Sequence, residues 1–131
     1  MNSFVVDTMA FILRLENRKM PVHIKKIFIE AENRSAFLKI PAIVFAELGY
    51  LSERGKVEIS LADAKIYLDM YLHITEYPMT VQIIEHSFSI DDIPELHDRL
   101  IAGTAKFLNV PVLTNDPDIR HSKYVQTIWE K

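Results

Sequence analysis

The spacing of apolar and polar residues changes several times along this chain, and each change marks a new element. Phe4-Val-Val is a short continuous apolar run ended by Asp7, the pattern of a buried strand. Thr8 can then cap a helix through Leu15 or Glu16. Pro21 fits the start of a second helix to about Asn33, with Val22, Ile24, Ile27, Phe28 and Ala31 as its inner side. Phe37–Ile40 reads as a short strand, and Pro41 opens a third helix that stops near Gly55. Ser60-Leu-Ala-Asp63 has the spacing of a capping box, with Asp in place of Glu, and predicts a fourth helix to about His73. Ile74–Tyr77 is a strand candidate, and Thr80–Phe88 reads as helical. Pro94 to Asn109 carries the clearest helical pattern, and Val110–Thr114 and Val125–Trp129 read as strands. Strands that alternate with helices imply an α/β fold with a mainly parallel sheet. Ligands of such sheets collect outside the carboxyl ends of the strands. Asp7 and Asp116 both fall there.

Composition narrows this picture. The 131 residues suffice for one domain with a real core, taken as 1–131, and 49% hydrophobic residues exclude a disordered chain. The absence of cysteine excludes disulfides and cysteine zinc sites and fits a reducing compartment. The first residues lack the basic and apolar regions of a signal peptide, and no apolar run approaches the roughly 20 residues that span a bilayer. A soluble cytoplasmic protein without membrane attachment is expected. The net charge of −3 excludes a grip on nucleic acid through bulk charge, so any such substrate would depend on a few local cations.

Four acids carry the candidate chemistry. Glu47 stands in the apolar stripe formed by Ile43, Val44, Tyr50 and Leu51, its neighbours three and four residues away. A buried unpaired carboxylate costs several kcal/mol. Glu47 therefore needs a partner, which is either an Arg or Lys or a metal ion. Asp7 is either a helix cap or a ligand. Asp98 lies near the start of the clearest helix, beside the apolar face of Leu96, Leu100, Ile101, Ala105 and Leu108. There it either complements the helix dipole, pairs with Arg99, or binds metal. Asp116 sits in Thr-Asn-Asp-Pro, an ordinary turn when taken alone. Asp118 reads as the cap of a short helical turn, with a metal role open.

The order of the acids is strand-Asp, helix-Glu, helix-Asp, strand-Asp. In that order the chain resembles the PIN-domain nucleases, in particular the small VapC-type toxins. The resemblance is carried by Val5-Val-Asp7-Thr8, Pro41-Ala-Ile-Val-Phe-Ala-Glu47-Leu, His97-Asp98-Arg99-Leu-Ile-Ala102 and Val112-Leu-Thr114-Asn-Asp116, and it covers nearly the whole chain. It implies a PIN-like three-layer α/β/α sandwich with the four acids in one cleft. It also implies metal-dependent hydrolysis of single-stranded or looped RNA to leave a 5′-phosphate, a homodimer, and a small antitoxin protein whose tail covers the cleft. The position two after Asp7 is often small and polar in that family. Here it is Met9, which removes a hydrogen-bonding group from beside Asp7.

Hard oxygen ligands select Mg²⁺ or Mn²⁺ over zinc. On this reading Asp7, Asp98 and Asp116 are ligands, and Glu47 is a ligand or the holder of the attacking water. Thr8, Thr114 and Asn115 are candidates to hydrogen-bond the ligands. Arg99 either meets a phosphate or braces Asp98. Arg14, Lys25, Lys26 and Arg120 either contact the RNA backbone or are solvated surface charges. His97 is expected to be packed and hydrogen-bonded rather than a general base. Tyr67 and Tyr71 are expected in a core or interface rather than as a base-stacking platform. The competing reading is a non-catalytic RNA- or protein-binding module on the same fold. Phosphatase and P-loop readings lack their motifs, because the first strand ends in Asp7-Thr-Met rather than Asp-x-Asp and no Gly-Lys-Ser/Thr is present.

Overall fold

In a computed structural model, which describes residues 1–130, five strands form one sheet and seven helices accompany it. The strands are β1 (Ser3–Val6), β2 (Phe37–Pro41), β3 (Ile74–Tyr77), β4 (Val112–Leu113) and β5 (Thr127–Ile128). Their order across the sheet is β3-β2-β1-β4-β5, and every pairing is parallel. Val5 of β1 faces Lys39 of β2 on one side and Val112 of β4 on the other. The helices are α1 (Thr8–Leu15), α2 (Val22–Glu32), α3 (Ala42–Glu53), α4 (Leu61–Met70), α5 (Val81–Phe88), α6 (Leu96–Leu108) and α7 (Pro117–Arg120).

The chain moves outward from β1 to β2 and β3, then returns across the sheet to β4 and β5. Right-handed crossovers therefore place α1–α4 on one face and α5–α7 on the other. The packing agrees: α1 meets α3 and α3 meets α4, while α5 and α7 meet α6. The direction reverses between β1 and β4, which opens a crevice at their carboxyl ends. Helix α3 also touches α6, joining the two helical layers beside that crevice.

Parallel strands covered on both faces read as continuous apolar runs. Val5, Val6, Leu38, Ile40, Val112 and Leu113 are accordingly buried, with Phe11, Phe28, Ile24 and Leu48 packed in the same core. A smaller cluster of Ile90, Ile93, Ala102 and Ile119 lies apart from it. Helices α5 and α6 approach closely at Gly103, where an added Cβ would lie 1.9 Å from Ser87 Oγ and 2.7 Å from Ser87 Cα.

Several boundaries differ from the sequence expectation. Asp7, not Thr8, is the N-cap of α1, because its carboxylate accepts the Ala10 N–H. Val22 is exposed rather than on the inner side of α2. It is two residues from Ile24, about 200° around the helix, while Ile24, Phe28 and Ala31 share the buried face. Helix α4 ends at Met70, short of His73, where Tyr71 turns to extended backbone; its ring lies edge-on to Tyr67 at 5.0 Å. Helix α6 begins at Leu96 rather than Pro94, because the Glu95 side chain caps it. Asp116, not Asp118, caps α7. Strands β4 and β5 are two residues each, shorter than the apolar runs around them.

The packing at Gly103 gives a stability prediction. Gly103→Ala should cost about 1–3 kcal/mol by forcing α5 from α6, read as a lower urea midpoint. Gly49→Ala in α3 should instead gain about 0.5–1 kcal/mol, because its added Cβ meets only Leu61 Cδ2 at 4.0 Å.

Candidate metal-binding active site

The crevice between β1 and β4 is a cleft of about 430 Å³ that contains all four acids. Asp7 follows β1 directly, so the strand delivers its carboxylate to the crevice. Asp7 Oδ1 accepts the Ala10 backbone N–H at 2.8 Å, and Oδ2 accepts from the Thr114 hydroxyl. Thr114 follows β4, and its Oγ1 accepts the Asp116 N–H at 3.0 Å. One threonine thus ties the β1 carboxylate to the turn that carries Asp116. Asp116 Oδ1 accepts the N–H groups of Asp118 at 2.9 Å and Ile119 at 3.3 Å, at the start of α7.

The other two acids come from helices. Glu47 projects from α3, and the Thr8 hydroxyl donates to its Oε1. Asp98 lies in the first turn of α6, where its N–H donates to Glu95 Oε1 at 2.8 Å. Asp98, Asp116 and Asp118 each offer a carboxylate oxygen, all within 4.8 Å of one another. The remaining wall is largely apolar, formed by Met9, Ala10, Leu13, Leu51, Ile101 and Trp129.

Burial and mutual repulsion act in the same direction on these acids. Asp7 is 5% exposed, and its pKa rises to about 6. Burial is the main cause, with Asp116 and Glu47 adding repulsion against the lowering effect of its Thr114 and Ala10 hydrogen bonds. Asp98 rises to about 7, first through burial and then through Asp116, Glu95, Glu47 and Asp7. Glu47 is also raised, chiefly by burial. Among the described residues no Lys or Arg forms an ion pair with any of the four, and His97 Nδ1 lies 3.9 Å from Glu47 Oε2. The Arg or Lys partner considered for Glu47 is therefore not what this arrangement supplies. An all-oxygen, mutually repelling donor set fits a hard divalent cation.

The other candidates divide cleanly. Thr8 and Thr114 hydrogen-bond the acids, and Asn115 lines the cleft while its Oδ1 accepts from Arg120 at 3.1 Å. Arg99 does not brace Asp98: its Nε donates to the Ile93 carbonyl at 2.8 Å, and its guanidinium lies over Phe88. Arg14 does not face the cleft. It makes a bidentate pair with Glu32 at 2.8 and 3.0 Å, and Tyr67 donates to the same carboxylate at 2.6 Å. Lys25 is exposed outside the cleft wall. Tyr67 and Tyr71 pack on each other, and Tyr67 also packs on Phe11.

His97 is not packed as expected. Its side chain is 44% exposed, and Leu96 beside it is also exposed. The imidazole Nδ1 is 2.7 Å from Glu95 Oε2, and this hydrogen bond raises its pKa. Glu95 was not visible as a site residue in sequence, since Glu is an uncommon helix cap. Its position three before Asp98 was the available signal. Trp129 and Leu13 were also missed as wall residues, because wall membership depends on how distant elements pack.

The sequence profile of the PIN domain matches residues 4–123. The chain belongs to the PIN-domain family. It is 28% identical over 120 residues to Ribonuclease VapC1 of Mycobacterium tuberculosis, covering 88% of this chain and 87% of that protein. Its fold matches the crystal structure of VapBC2 from Rickettsia felis bound to a promoter DNA fragment, with a TM-score of 0.74 and 18% identity over 100% of this chain and 99% of that one. It also matches Mycobacterium tuberculosis VapC20, described as a Sarcin-Ricin loop cleaving toxin, with a TM-score of 0.67 and 15% identity over 94% and 97% of the two chains. At these identities the two structures establish the shared α/β architecture.

The acid cluster of this PIN domain has a thermodynamic signature. The folded protein keeps protons on Asp7 and Asp98 up to about pH 6 and 7, whereas the unfolded chain loses them near 3.8. The folded state binds more protons in that window, so stability should fall as pH rises from about 4 to 8. Asp98→Asn should recover about 1–2 kcal/mol at pH 8 without metal, the gain being held down by solvent screening at this half-buried position. Thermal melts with and without Mn²⁺ check this. Mn²⁺ should stabilise the parent protein more than the variant. Equal melting of the two at pH 8 would show that repulsion at Asp98 costs nothing.

Proposed function

We propose that this PIN-domain protein is a metal-dependent endoribonuclease and the toxin of a toxin–antitoxin pair. The observation that carries the reading is the convergence of four carboxylates in one cleft with no Lys or Arg ion-paired to them among the described residues. The match to a ribonuclease over most of both chains supports it, as does the likeness to structures of VapBC complexes. Single-stranded or looped RNA is the proposed substrate, and a cleaving toxin of similar fold is described as acting on such a loop. A small antitoxin protein is the proposed partner, and a homodimer the proposed assembly. Among the described residues no helix is long and apolar enough to cross a membrane.

Asp7, Asp98 and Asp116 would hold Mg²⁺ or Mn²⁺. Such an ion acidifies a bound water and polarises a phosphate oxygen. The protein's own residues set the rest of the reaction. Thr114 and the Ala10 N–H fix both oxygens of Asp7. Thr8 fixes Oε1 of Glu47 and leaves Oε2 toward His97. Glu47 then orients the attacking water and takes its proton, a role suited to a carboxylate whose pKa burial has raised. The proton leaves on Glu47, the water oxygen bonds to phosphorus as the P–O3′ bond breaks, and the departing 3′-oxygen takes a proton from solvent to become a hydroxyl. The apolar wall of Leu13, Leu51 and Ile101 limits bulk water around the reacting atoms.

Incubating purified protein with a mixed RNA pool tests the reading. Cutting should require Mg²⁺ or Mn²⁺, stop with EDTA, and disappear in Asp98→Asn. Glu47→Gln should lose about 10²–10⁴-fold in rate, and Thr114→Val about 10–100-fold. Folded, inhibitor-free protein that cuts nothing with either metal would favour the non-catalytic binding module.

A further inference from the structure

The acidic chain contains one strongly basic stretch. Between Leu13 and Phe28 stand Arg14, Arg18, Lys19, Lys25 and Lys26 against the single acid Glu16. This stretch is the last turn of α1, the connection and the first half of α2. Asn17, at a positive φ of 54°, turns the chain there and folds α1 back toward α2. Three of the five basic side chains, Arg14, Arg18 and Lys25, line one small concavity with Leu13, Asn17 and Met20, and Lys19 and Lys26 adjoin Arg18 and Lys25 in the chain.

Leu13 also lines the acid cleft. Leu13 therefore stands between the basic concavity and the cleft, which are neighbours along α1. From Asp7 to the end of α1 is about 12 Å, a length that a few nucleotides cover. Not every cation here is free. Arg14 is committed to Glu32, and Arg18 lies 3.3 Å from Glu16 in an exposed pair. Lys19, Lys25 and Lys26 are exposed, and none forms an ion pair among the described residues. They are positive charges with no internal task, placed beside a cleft that itself repels phosphate.

From this adjacency and these uncommitted charges we infer that the α1–α2 junction is a phosphate track for single-stranded RNA. Lys19, Lys25 and Lys26 bind the backbone on one side of the scissile bond. The inference rests on the ribonuclease reading and adds a polarity to it. The cleft holds the phosphate to be cut, while affinity comes from nucleotides on the α1 side only. Lys residues act here as mobile point charges that neutralise phosphates without reading bases.

The test compares the wild type, the triple variant Lys19→Gln/Lys25→Gln/Lys26→Gln, and a charge-matched control, Lys56→Gln/Lys65→Gln/Lys123→Gln, which alters exposed lysines elsewhere. A long unstructured RNA and a short oligonucleotide spanning only the mapped cleavage step are the substrates. With the long RNA the triple variant should raise KM about tenfold or more and leave kcat unchanged. Its dependence of log KM on log salt should flatten by about 2, the value for three lost single-strand phosphate contacts. The short substrate should be cut equally by all three proteins. Trimming the long RNA from one end should raise the wild-type KM, and trimming from the other should not. Unchanged KM and salt dependence in the triple variant overturn the track and point the patch to a protein partner. An equal loss in the control overturns it as well, since bulk charge would then be the cause. Absence of any metal-dependent cutting by the wild type would instead be failure of the ribonuclease reading itself, a separate outcome.

Discussion

Like charges gathered in one cleft repel, and this fold holds them together with neutral donors instead of cations. Asp7 is fixed by a hydroxyl and a backbone N–H, Glu47 by a hydroxyl, and Asp116 by the first N–H groups of α7. Each donor orients a carboxylate while leaving its charge uncancelled. A lysine or arginine in the same place would form a buried ion pair and compete with any cation from solution. The raised pKa values of Asp7 and Asp98 are the energetic trace of that choice. By linkage these shifts lower folding stability toward neutral pH, and a bound divalent ion would offset the loss.

The constraint reaches well beyond the acids. Asp7 and Thr114 meet because β1 and β4 are neighbours at the point where the sheet reverses its direction of growth. Asp98 reaches the crevice because α6 lies tightly along α5, and that approach depends on Gly103 having no side chain opposite Ser87. Glu47 reaches it because α3 touches α6 across the layers. Met9 brings no hydrogen-bonding group to Asp7 beside it, which points to a division of labour. The hydrogen bonds that hold Asp7 come from Thr114 and the Ala10 backbone, so the apolar side chain can serve as cleft wall.

Charge on this protein is separated. The cleft is negative, and the junction of α1 and α2 is positive, with Leu13 between them. A net charge of −3 conceals this separation, since the sum carries no positional information. For a polyanionic substrate the arrangement has a direct consequence. Attraction would act beside the cleft, and the charge of the cleft itself opposes a phosphate that arrives without a counter-ion.

The order of strands and helices was legible along the chain. Strand residues such as Val5, Val6 and Val112 are buried on both faces and must be apolar without interruption, whereas Ile24, Phe28 and Ala31 repeat at the helical period. Glu47 was legible for a related reason, since a carboxylate set among apolar residues is costly and stands out. Asp7, Asp98 and Asp116 are each ordinary taken singly and were legible only through the order of the four acids, which resembles that of the PIN-domain nucleases. Element ends were read less well. Helix α4 stops where Tyr71 turns to extended backbone, with no Gly or Pro to mark the end, and Glu95 caps α6 with a side chain rarely used for that purpose. The fates of the arginines were not legible at all. Arg14 and Arg99 look like free cations in sequence, and only packing gives Arg14 to Glu32 and Arg99 to the Ile93 carbonyl. The sequence alone determined which residues had to be buried and which acids stood apart: the buried faces and Glu47 follow from local period and burial cost, and the other three acids from their order along the chain. The tertiary structure decided which anomalies meet, and which charges are already spent, because those depend on contacts between residues as far apart as Asp7 and Thr114.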